Sequence, residues 1–357
     1  HWLDLVRYAE TNSYERDGAK PFVWRYRDYV IRSLNADKPF DQFAREQLAG
    51  DELDEVTADT LTATGYYRLG IWQDEPVDRE QELFEDLDDH VRTTSEVFLG
   101  LTLGCARCHD HKLDPLPQRD YYRMLAFFRN IRRYGVRGNN TVASASLGDL
   151  ATPEALERNR KLIEQHKTKL KTVQQAIAAF VKKVSPLLEG GEVDDFKDEK
   201  SQVPILKKKV PGKLARREFD AFVKLTRQRE ELRKFKAPEL GKALVVKEHG
   251  PNVPQSFVQV RGNAHARGAK VEPGFPEVLS PPAPRIRPPT KGARSSNRRR
   301  ALAEWITDPR NPLTARVLAN RLWQYHFGRG IVTSPNNFGM QGDPPSHPRL
   351  LDWLASE

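Results

Sequence analysis

The first 135 residues show apolar positions that recur every three or four residues, the spacing of amphipathic helices. One such run covers residues 24–34. A second begins after Pro39, a residue that tolerates the first turn of a helix because no amide hydrogen bond is lost there. A long acidic helix is predicted over about 77–103 and an apolar one over 121–128. These runs predict a helical domain spanning residues 1–150.

The next ninety residues have a different pattern. Residues 152–183 and 214–236 carry apolar side chains in steps of three or four, with charged and amide side chains on the remaining positions. This is typical of two helices that pair as an antiparallel coiled-coil hairpin, predicted over residues 151–240. The link between them, residues 185–212, contains prolines, a Gly-Gly pair and blocks of like charge. It predicts a long irregular tip.

The period changes again after residue 241. Residues 243–247 and 256–261 alternate as strands do and are followed by glycine turns, which predicts a small β unit over residues 241–285. A proline- and arginine-rich stretch then predicts an irregular linker. Helical periodicity returns in the last segment, residues 286–357, which we expect to be the start of a further helical domain. The predicted fold class is therefore mainly α.

Composition and charge narrow the function classes. No run of 18 apolar residues occurs, so no membrane-spanning helix is expected, and two cysteines in 357 residues exclude a disulfide-rich scaffold. The net charge is −8 over residues 1–150, +10 over 151–247 and +7 over 248–357. A basic segment of this kind docks onto polyanions such as sulfated or acidic polysaccharides, or complements the acidic part of its own chain. Nucleic-acid binding is disfavoured because stacking aromatics are not interleaved with the basic residues.

Both cysteines lie in one motif, Cys105-Ala106-Arg107-Cys108-His109. The pattern C-x-x-C-H is the attachment signature of c-type haem. Two thiols three residues apart on a turn reach two carbons on one edge of a porphyrin. The next side chain then presents its imidazole to the iron. The motif therefore predicts covalent haem c on Cys105 and Cys108, with His109 as the proximal iron ligand.

Two other uses of the motif stay open. The cysteines could form a disulfide or a thioredoxin-like redox pair, although no βαβ pattern precedes them. Cys105, Cys108 and either His109 or His111 could hold zinc, but a fourth ligand would have to come from a remote part of the chain. A non-haem binding or scaffold protein with a metal-loaded or empty motif and a polyanion-docking hairpin is thus the alternative function.

The distal position on the iron has several candidates. His111 follows the proximal histidine too closely to reach the opposite face of the macrocycle, so we expect it to line the haem pocket or bond a propionate. Met340 lies in a glycine-containing loop and is the predicted distal ligand. Met124 lies in an apolar helix and is expected in the core, and His90 and His326 are further options. An open position favours small-molecule redox chemistry, whereas a filled one favours electron transfer.

Several segments resemble a known pair of families. The first group of segments precedes or contains the motif: residues 24–30 (WRYRDYV), 39–41 (PFD), 46–51 (EQLAGD), 93–102 (TTSEVFLGLT) and 105–112 (CARCHDHK). These are similar to the cytochrome-c-like PSCyt domain family of planctomycete-type bacteria. Near the end of the sequence they are residues 299–305 (RRALAEW), 311–316 (NPLTAR), 320–323 (NRLW) and 346–348 (SHP). These resemble the PSD family that accompanies it.

The resemblance implies an exported, multidomain protein predicted to bind haem c, whose biochemical role is largely unassigned. Cys105 and Cys108 match the thioether positions and His109 the proximal ligand. We therefore expect an extracytoplasmic electron-transfer component or haem-dependent oxidoreductase with a redox partner protein, and a link to polysaccharide breakdown. The sequence begins at His1 in a helix-like pattern, so we expect a piece of a longer chain and give no weight to a missing targeting signal.

Overall fold

The structure is a computed structural model that describes residues 1–12, 14, 16–135 and 141–357. It is mainly α, as predicted, with two small two-stranded sheets among the described residues. The helices are α1 (Trp2–Leu5), α2 (Trp24–Asn35), α3 (Phe40–Ala49), α4 (Ala58–Ala63), α5 (Arg79–Thr94), α6 (Gln118–Phe128), α7 (Val142–Ala145), α8 (Pro153–Val184), α9 (Glu192–Asp195), α10 (Glu199–Lys208), α11 (Arg216–Arg233), α12 (Arg298–Ile306), α13 (Thr314–Phe327) and α14 (Pro348–Ser356). The strands are β1 (Leu147–Asp149), β2 (Lys242–Leu244), β3 (Ser256–Gln259) and β4 (Arg267–Val271).

The chain divides into two compact units. One consists of residues 1–150 together with 241–357, and the other of residues 151–240. The ranges predicted as a helical domain, a β unit and a C-terminal helical segment thus fold together in the first unit. No helix among the described residues is both long enough and apolar enough to cross a bilayer.

Helix α5 shows how local sequence sets the boundaries of the elements around the motif. The carboxylate of Asp78 accepts hydrogen bonds from the backbone amides of Glu80 and Gln81, which caps the start of the helix. The predicted helix to residue 103 is too long. After Thr94 the backbone makes one π-helical turn, Ser95–Leu99, and the helical structure ends at Gly100. Gly100 has a left-handed φ of 60°, a conformation that commonly ends a helix.

The core of the first unit is rich in aromatic side chains. Trp2 packs edge-on against Phe43 with ring centroids 5.0 Å apart, and Tyr29 stacks on Phe43 at 5.8 Å. Helix α6 contributes Met124, which has no exposed surface, so its predicted place in the core is confirmed. Burial of large aromatic surfaces of this kind is the main stabilising contribution in such a core.

The predicted strands belong to two different sheets. Strand β2 pairs antiparallel with β1, which lies before the hairpin in the sequence, whereas β3 and β4 form their own antiparallel hairpin. Strand β3 ends at Gln259, two residues earlier than predicted, because the backbone of Arg261 and Gly262 turns into the left-handed region, with φ values of 55° and 72°. This turn brings the tip of the β3–β4 hairpin towards helix α5.

The second unit is built on the pair α8 and α11. Phe180 stacks on Phe222 with centroids 4.8 Å apart, and His166 stacks on Phe235 at 4.0 Å. Because the earlier residue of α8 pairs with the later one of the returning segment, the two helices run antiparallel, as predicted. The expected irregular tip is wrong, since residues 185–212 contain α9 and α10. Leu206 is fully buried there in the same apolar cluster as Phe222, which is why the segment folds.

Candidate functional site

The Cys105–His109 motif begins on a short 3₁₀ turn, Leu103–Arg107, that packs between α5 and α6, and continues just beyond the end of this turn. Leu103 and Ala106 are fully buried and anchor the turn in the apolar core. Cys105, Cys108 and His109 are exposed, and neither cysteine is in a disulfide. The turn and the two residues that follow it therefore present all three side chains to solvent, while Leu103 and Ala106 hold the backbone of the turn against the core.

Arg107 holds the turn in place through both its side chain and its backbone. Its guanidinium makes two parallel hydrogen bonds of 2.7 Å to the carboxylate of Glu85, and these bonds lower the pKa of Glu85. Its carbonyl oxygen accepts hydrogen bonds from Gln118 Nε2 at 2.8 Å and from the Tyr122 hydroxyl at 3.0 Å. The residue that precedes Cys108 is thus fastened to α5 on one side and to α6 on the other.

The imidazole of His109 has a defined hydrogen bond. Its Nδ1 lies 2.6 Å from the backbone carbonyl oxygen of Asp110. A carbonyl only accepts, so Nδ1 carries the proton, and in the neutral ring Nε2 keeps its lone pair. Metal-bound histidines commonly donate the other ring nitrogen to a carbonyl in this way, which fixes the orientation of the ring. His109 therefore has the tautomer that an iron ligand needs.

The motif opens onto a groove of about 460 Å³. That volume is within the roughly 300–1,000 Å³ of typical small-molecule sites. The groove is lined by Gln81, Glu85, Arg92, Gly104, Cys105, Arg107, Cys108, His109, Arg261 and Gly262. The groove thus contains two exposed thiols and an imidazole whose Nε2 is not hydrogen-bonded to the described residues. These are the residue types that covalent attachment of haem requires.

The tip of the β3–β4 hairpin forms the wall opposite α5. A Cβ atom at Gly262 would lie only 2.8 Å from the sulfur of Cys108, so the glycine allows the tip to approach the motif closely. The tip is tied to the start of α5, where His265 Nε2 lies 2.6 Å from Asp78 Oδ2 and the Ala264 amide donates to Gln81 Oε1 at 3.1 Å. These contacts fix the width of the groove at this point.

The tie between His265 and Asp78 gives a pH prediction. The hydrogen bond to Asp78 raises the pKa of His265 above its usual 6.5. A raised pKa in the folded state means that the tie stabilises the tip fully below about pH 6.5. This stabilisation is lost as the pH rises through the folded-state pKa. We expect an NMR titration of the wild-type protein to give a His265 pKa above 6.5.

Asp78→Asn is the matched change, because asparagine still caps the helix but carries no charge. In this variant the pKa of His265 should return towards 6.5. A pKa of His265 at or below 6.5 in the wild-type protein would contradict a hydrogen bond between His265 and Asp78 in solution.

His111 lies outside the lining of the groove. Its Nδ1 accepts hydrogen bonds from the backbone amides of Asp114 at 2.8 Å and Leu113 at 3.3 Å, and its Nε2 lies 3.2 Å from the Thr102 hydroxyl. Both ring nitrogens are therefore used within the loop. The structure gives His111 a part in shaping the segment after the motif and does not place it in the lining of the groove.

Met340, the predicted distal ligand, is not brought to the motif. Its side chain is 72% exposed and lines a separate cavity of about 420 Å³ with Phe338 and Pro344. Its backbone amide donates to Asp114 Oδ1 at 2.6 Å, which docks the loop onto the segment after the motif. The loop is thus near the motif segment, but its thioether belongs to another hollow.

The remaining candidates for the distal position are also placed elsewhere. His90 is buried between Tyr67 and Phe128, and burial holds its pKa well below the usual value. His326 is exposed on α13 with its Nδ1 2.8 Å from the carbonyl oxygen of Leu322. Within the described part of the chain, His109 is the single histidine or methionine that lines the groove.

The zinc alternative finds no ligand set. Among the described residues, no group of three or more Cys, His, Asp or Glu side chains has a geometry that could hold a metal ion. Glu85 lines the same groove, but its carboxylate is bonded to Arg107 and completes no such group with the motif. Covalent haem does not require such a group, because the chain has to supply only one side-chain ligand to the iron.

Sequence reasoning missed the far wall of the groove. Arg261 and Gly262 lie about 150 positions after the motif, and no spacing in the sequence connects the two segments. The Gly-Asn pair at 262–263 marks a turn, but a turn signal does not say what the turn packs against. The contribution of Glu85 was hidden in the same way, since it is one of many acidic residues on α5.

Comparison with known proteins gives two matches. Residues 1–133 match the family model PSCyt2, a protein of unknown function (DUF1549), and the Cys105–His109 motif lies within this match. Residues 298–357 match the family model PSD1, also a protein of unknown function (DUF1553). No curated protein and no solved structure matches the chain. The resemblance seen in the sequence is therefore confirmed for both segments.

Proposed function

Because the chain joins a PSCyt2 segment to a PSD1 segment, both of unknown function, we propose that it is an exported c-type cytochrome-like protein. Haem would be attached through thioether bonds to Cys105 and Cys108, with His109 as the iron ligand. The observation that carries this proposal is the exposure of both thiols and of the imidazole in a single groove. A structural C-x-x-C turn has no need to present all three side chains.

Each residue of the site has a definite part in the proposal. Cys105 and Cys108 tether the group, so that an open groove suffices where a closed pocket would otherwise be required. The hydrogen bond from His109 Nδ1 to the Asp110 carbonyl orients the ring. Arg107, held by Glu85, keeps the turn rigid. Haem bound here would supply one-electron redox chemistry.

The surroundings of His109 favour redox chemistry on a small molecule over simple electron transfer. No second histidine or methionine of the described residues lines the groove, so the chain offers no evident second iron ligand there. An iron with a single protein ligand is open to small molecules such as peroxide. The proposal includes an extracytoplasmic location, where haem c is assembled, and a redox partner protein. A link to polysaccharide breakdown rests on the family resemblance alone.

A second candidate function uses the basic hairpin. Lys167, Lys169 and Lys171 on α8 are exposed, and the described residues provide no acidic partner for any of them. Such unpaired cations favour docking onto an acidic or sulfated polysaccharide, as a non-haem scaffold would do. This candidate predicts a protein that is exported without colour and whose retention on a sulfated polysaccharide falls steeply with salt.

Colour separates the two candidates. The chain, expressed for export with haem-maturation machinery, should show a Soret band that stays with the protein through acid–acetone extraction. The Cys105→Ser/Cys108→Ser double variant should lose all of its haem in the same extraction, because no thioether can form. Lys112→Ala, an exposed change beside the motif, is the matched control and should retain the band. A correctly exported wild-type protein without colour would refute the haem proposal and support the scaffold.

A further inference from the structure

Three arginine side chains line the groove, and two of them are already paired with carboxylates of the protein. Arg107 is paired with Glu85. Arg92 donates from Nε to Asp88 Oδ2 at 2.6 Å and from Nη2 to the Gly104 carbonyl at 3.3 Å. Arg261 is exposed on the rim, and the described residues include no acceptor or acidic side chain bonded to it. One positive charge of the groove is therefore available to a ligand.

The backbone at this arginine is strained. Arg261 has φ 55° and ψ 28°, in the left-handed region that side chains other than glycine, asparagine and aspartate rarely adopt. The following residue, Gly262, is also left-handed at φ 72°. A non-glycine residue persists in such a conformation only where the surrounding structure enforces it, and such residues cluster at functional sites.

The surroundings that enforce this conformation are on both sides of the tip. The Val260 amide donates to the Ala266 carbonyl at 2.8 Å across the hairpin. His265 and Ala264 tie the same loop to α5, and Gly262 lies against the sulfur of Cys108. Arg261 is thus fixed on the rim beside one of the two attachment cysteines.

We infer that Arg261 binds the propionate carboxylates of the porphyrin in this groove, an assignment that rests on the function proposed above. The propionates are the anionic groups of an iron porphyrin, and guanidinium is the side chain best suited to bind a carboxylate through two hydrogen bonds. With Arg107 paired to Glu85 and Arg92 paired to Asp88, Arg261 leaves the groove with one uncompensated positive charge, which favours the same ligand. Arg261 is a positioning residue, which sets where the far edge of the macrocycle lies relative to Cys108.

The inference is tested by titrating the full chain, with its thiols reduced, with ferric protoporphyrin IX and following the Soret absorbance. Arg261→Ala should weaken binding about tenfold or more, the effect of losing one charge-assisted hydrogen bond. Arg261→Lys keeps the charge but lacks the planar guanidinium that binds a carboxylate through two hydrogen bonds, so it should recover only part of the affinity. Arg267→Ala is the matched control: it removes an arginine of the same hairpin that pairs with Glu80 and does not line the groove.

Protoporphyrin IX dimethyl ester provides the chemical control, since its propionates carry no charge. Wild-type protein should bind the ferric ester more weakly than the free acid, and Arg261→Ala should cause no further loss with the ester. Equal affinity of Arg261→Ala and wild type for the free acid would overturn the inference while leaving covalent attachment in force. A wild-type chain that binds neither porphyrin also overturns it, and the acid–acetone extraction then decides separately whether the proposed function fails.

Discussion

Replacing Arg299 with alanine is expected to destabilise the unit formed by residues 1–150 and 241–357 by about 3–5 kcal/mol. This guanidinium is fully buried and bonds three carboxylates: both oxygens of Asp51 at 2.6 and 2.8 Å, Glu52 at 3.0 Å and Glu248 at 2.9 Å. Without it, these acidic groups would lie in the core with no equivalent cation. Even beside Arg299, burial raises the pKa of Glu52 to about 7.

The network also explains why separate parts of the sequence fold as one unit. Asp51 and Glu52 follow α3, Glu248 follows β2, and Arg299 lies in the first turn of α12. A single buried side chain thus connects the PSCyt2 match, the strand region and the PSD1 match. Loss of this connection should loosen all three segments together.

Urea unfolding followed by circular dichroism measures the effect. Arg310→Ala is the control, because Arg310 makes an exposed pair with Asp308, and its removal should leave the urea midpoint unchanged. The Arg299→Ala midpoint should fall well below that of the wild type at pH 7. A midpoint equal to the control would show that the network contributes nothing to the stability of the fold.

The second large effect distinguishes the two histidines of the motif segment. In haem-loaded protein, His109→Ala should keep its thioether-bound haem but lose the wild-type Soret position, because the iron loses its protein ligand. His111→Ala should keep the wild-type spectrum. It should instead lower stability by about 0.5–1.5 kcal/mol, since the backbone amides of Asp114 and Leu113 lose their acceptor.

Absorbance spectra and urea midpoints of the two variants, beside Lys112→Ala, check this pair of outcomes. The structure predicts that the two properties separate: the spectrum follows His109 and the stability follows His111. If His111→Ala altered the spectrum while His109→Ala did not, the assignment of the iron ligand would have to be reversed.

The sequence was informative where structure is local. Helical spacing predicted α2, α3, α6 and the α8–α11 pair because each buries one continuous face, and the C-x-x-C-H pattern located the motif because its residues are adjacent. The end of α5 was missed because the apolar pattern continues through the π-helical turn to Gly100. The helices of the hairpin tip were missed because prolines and glycines hid the apolar residues that bury Leu206.

The sequence predicted the motif residues of the candidate site but not the wall of the groove that faces them. Cys105, Cys108 and His109 lie within five consecutive residues, so their exposure in one place follows from their spacing. The wall carrying Arg261 depends on how a remote hairpin packs against α5. The place of Met340 in a separate hollow could not be predicted for the same reason, since tertiary packing decides where the side chain of such a loop is directed.

Mass spectrometry of the peptide that contains Cys105 and Cys108 tests the central claim most directly. The full chain is expressed for export with haem-maturation machinery, purified and digested. We predict that this peptide carries the added mass of one haem and that the Cys105→Ser/Cys108→Ser peptide carries none. An exported wild-type peptide with two free thiols, or with an internal disulfide and no added mass, would contradict the assignment of this groove as a haem c site.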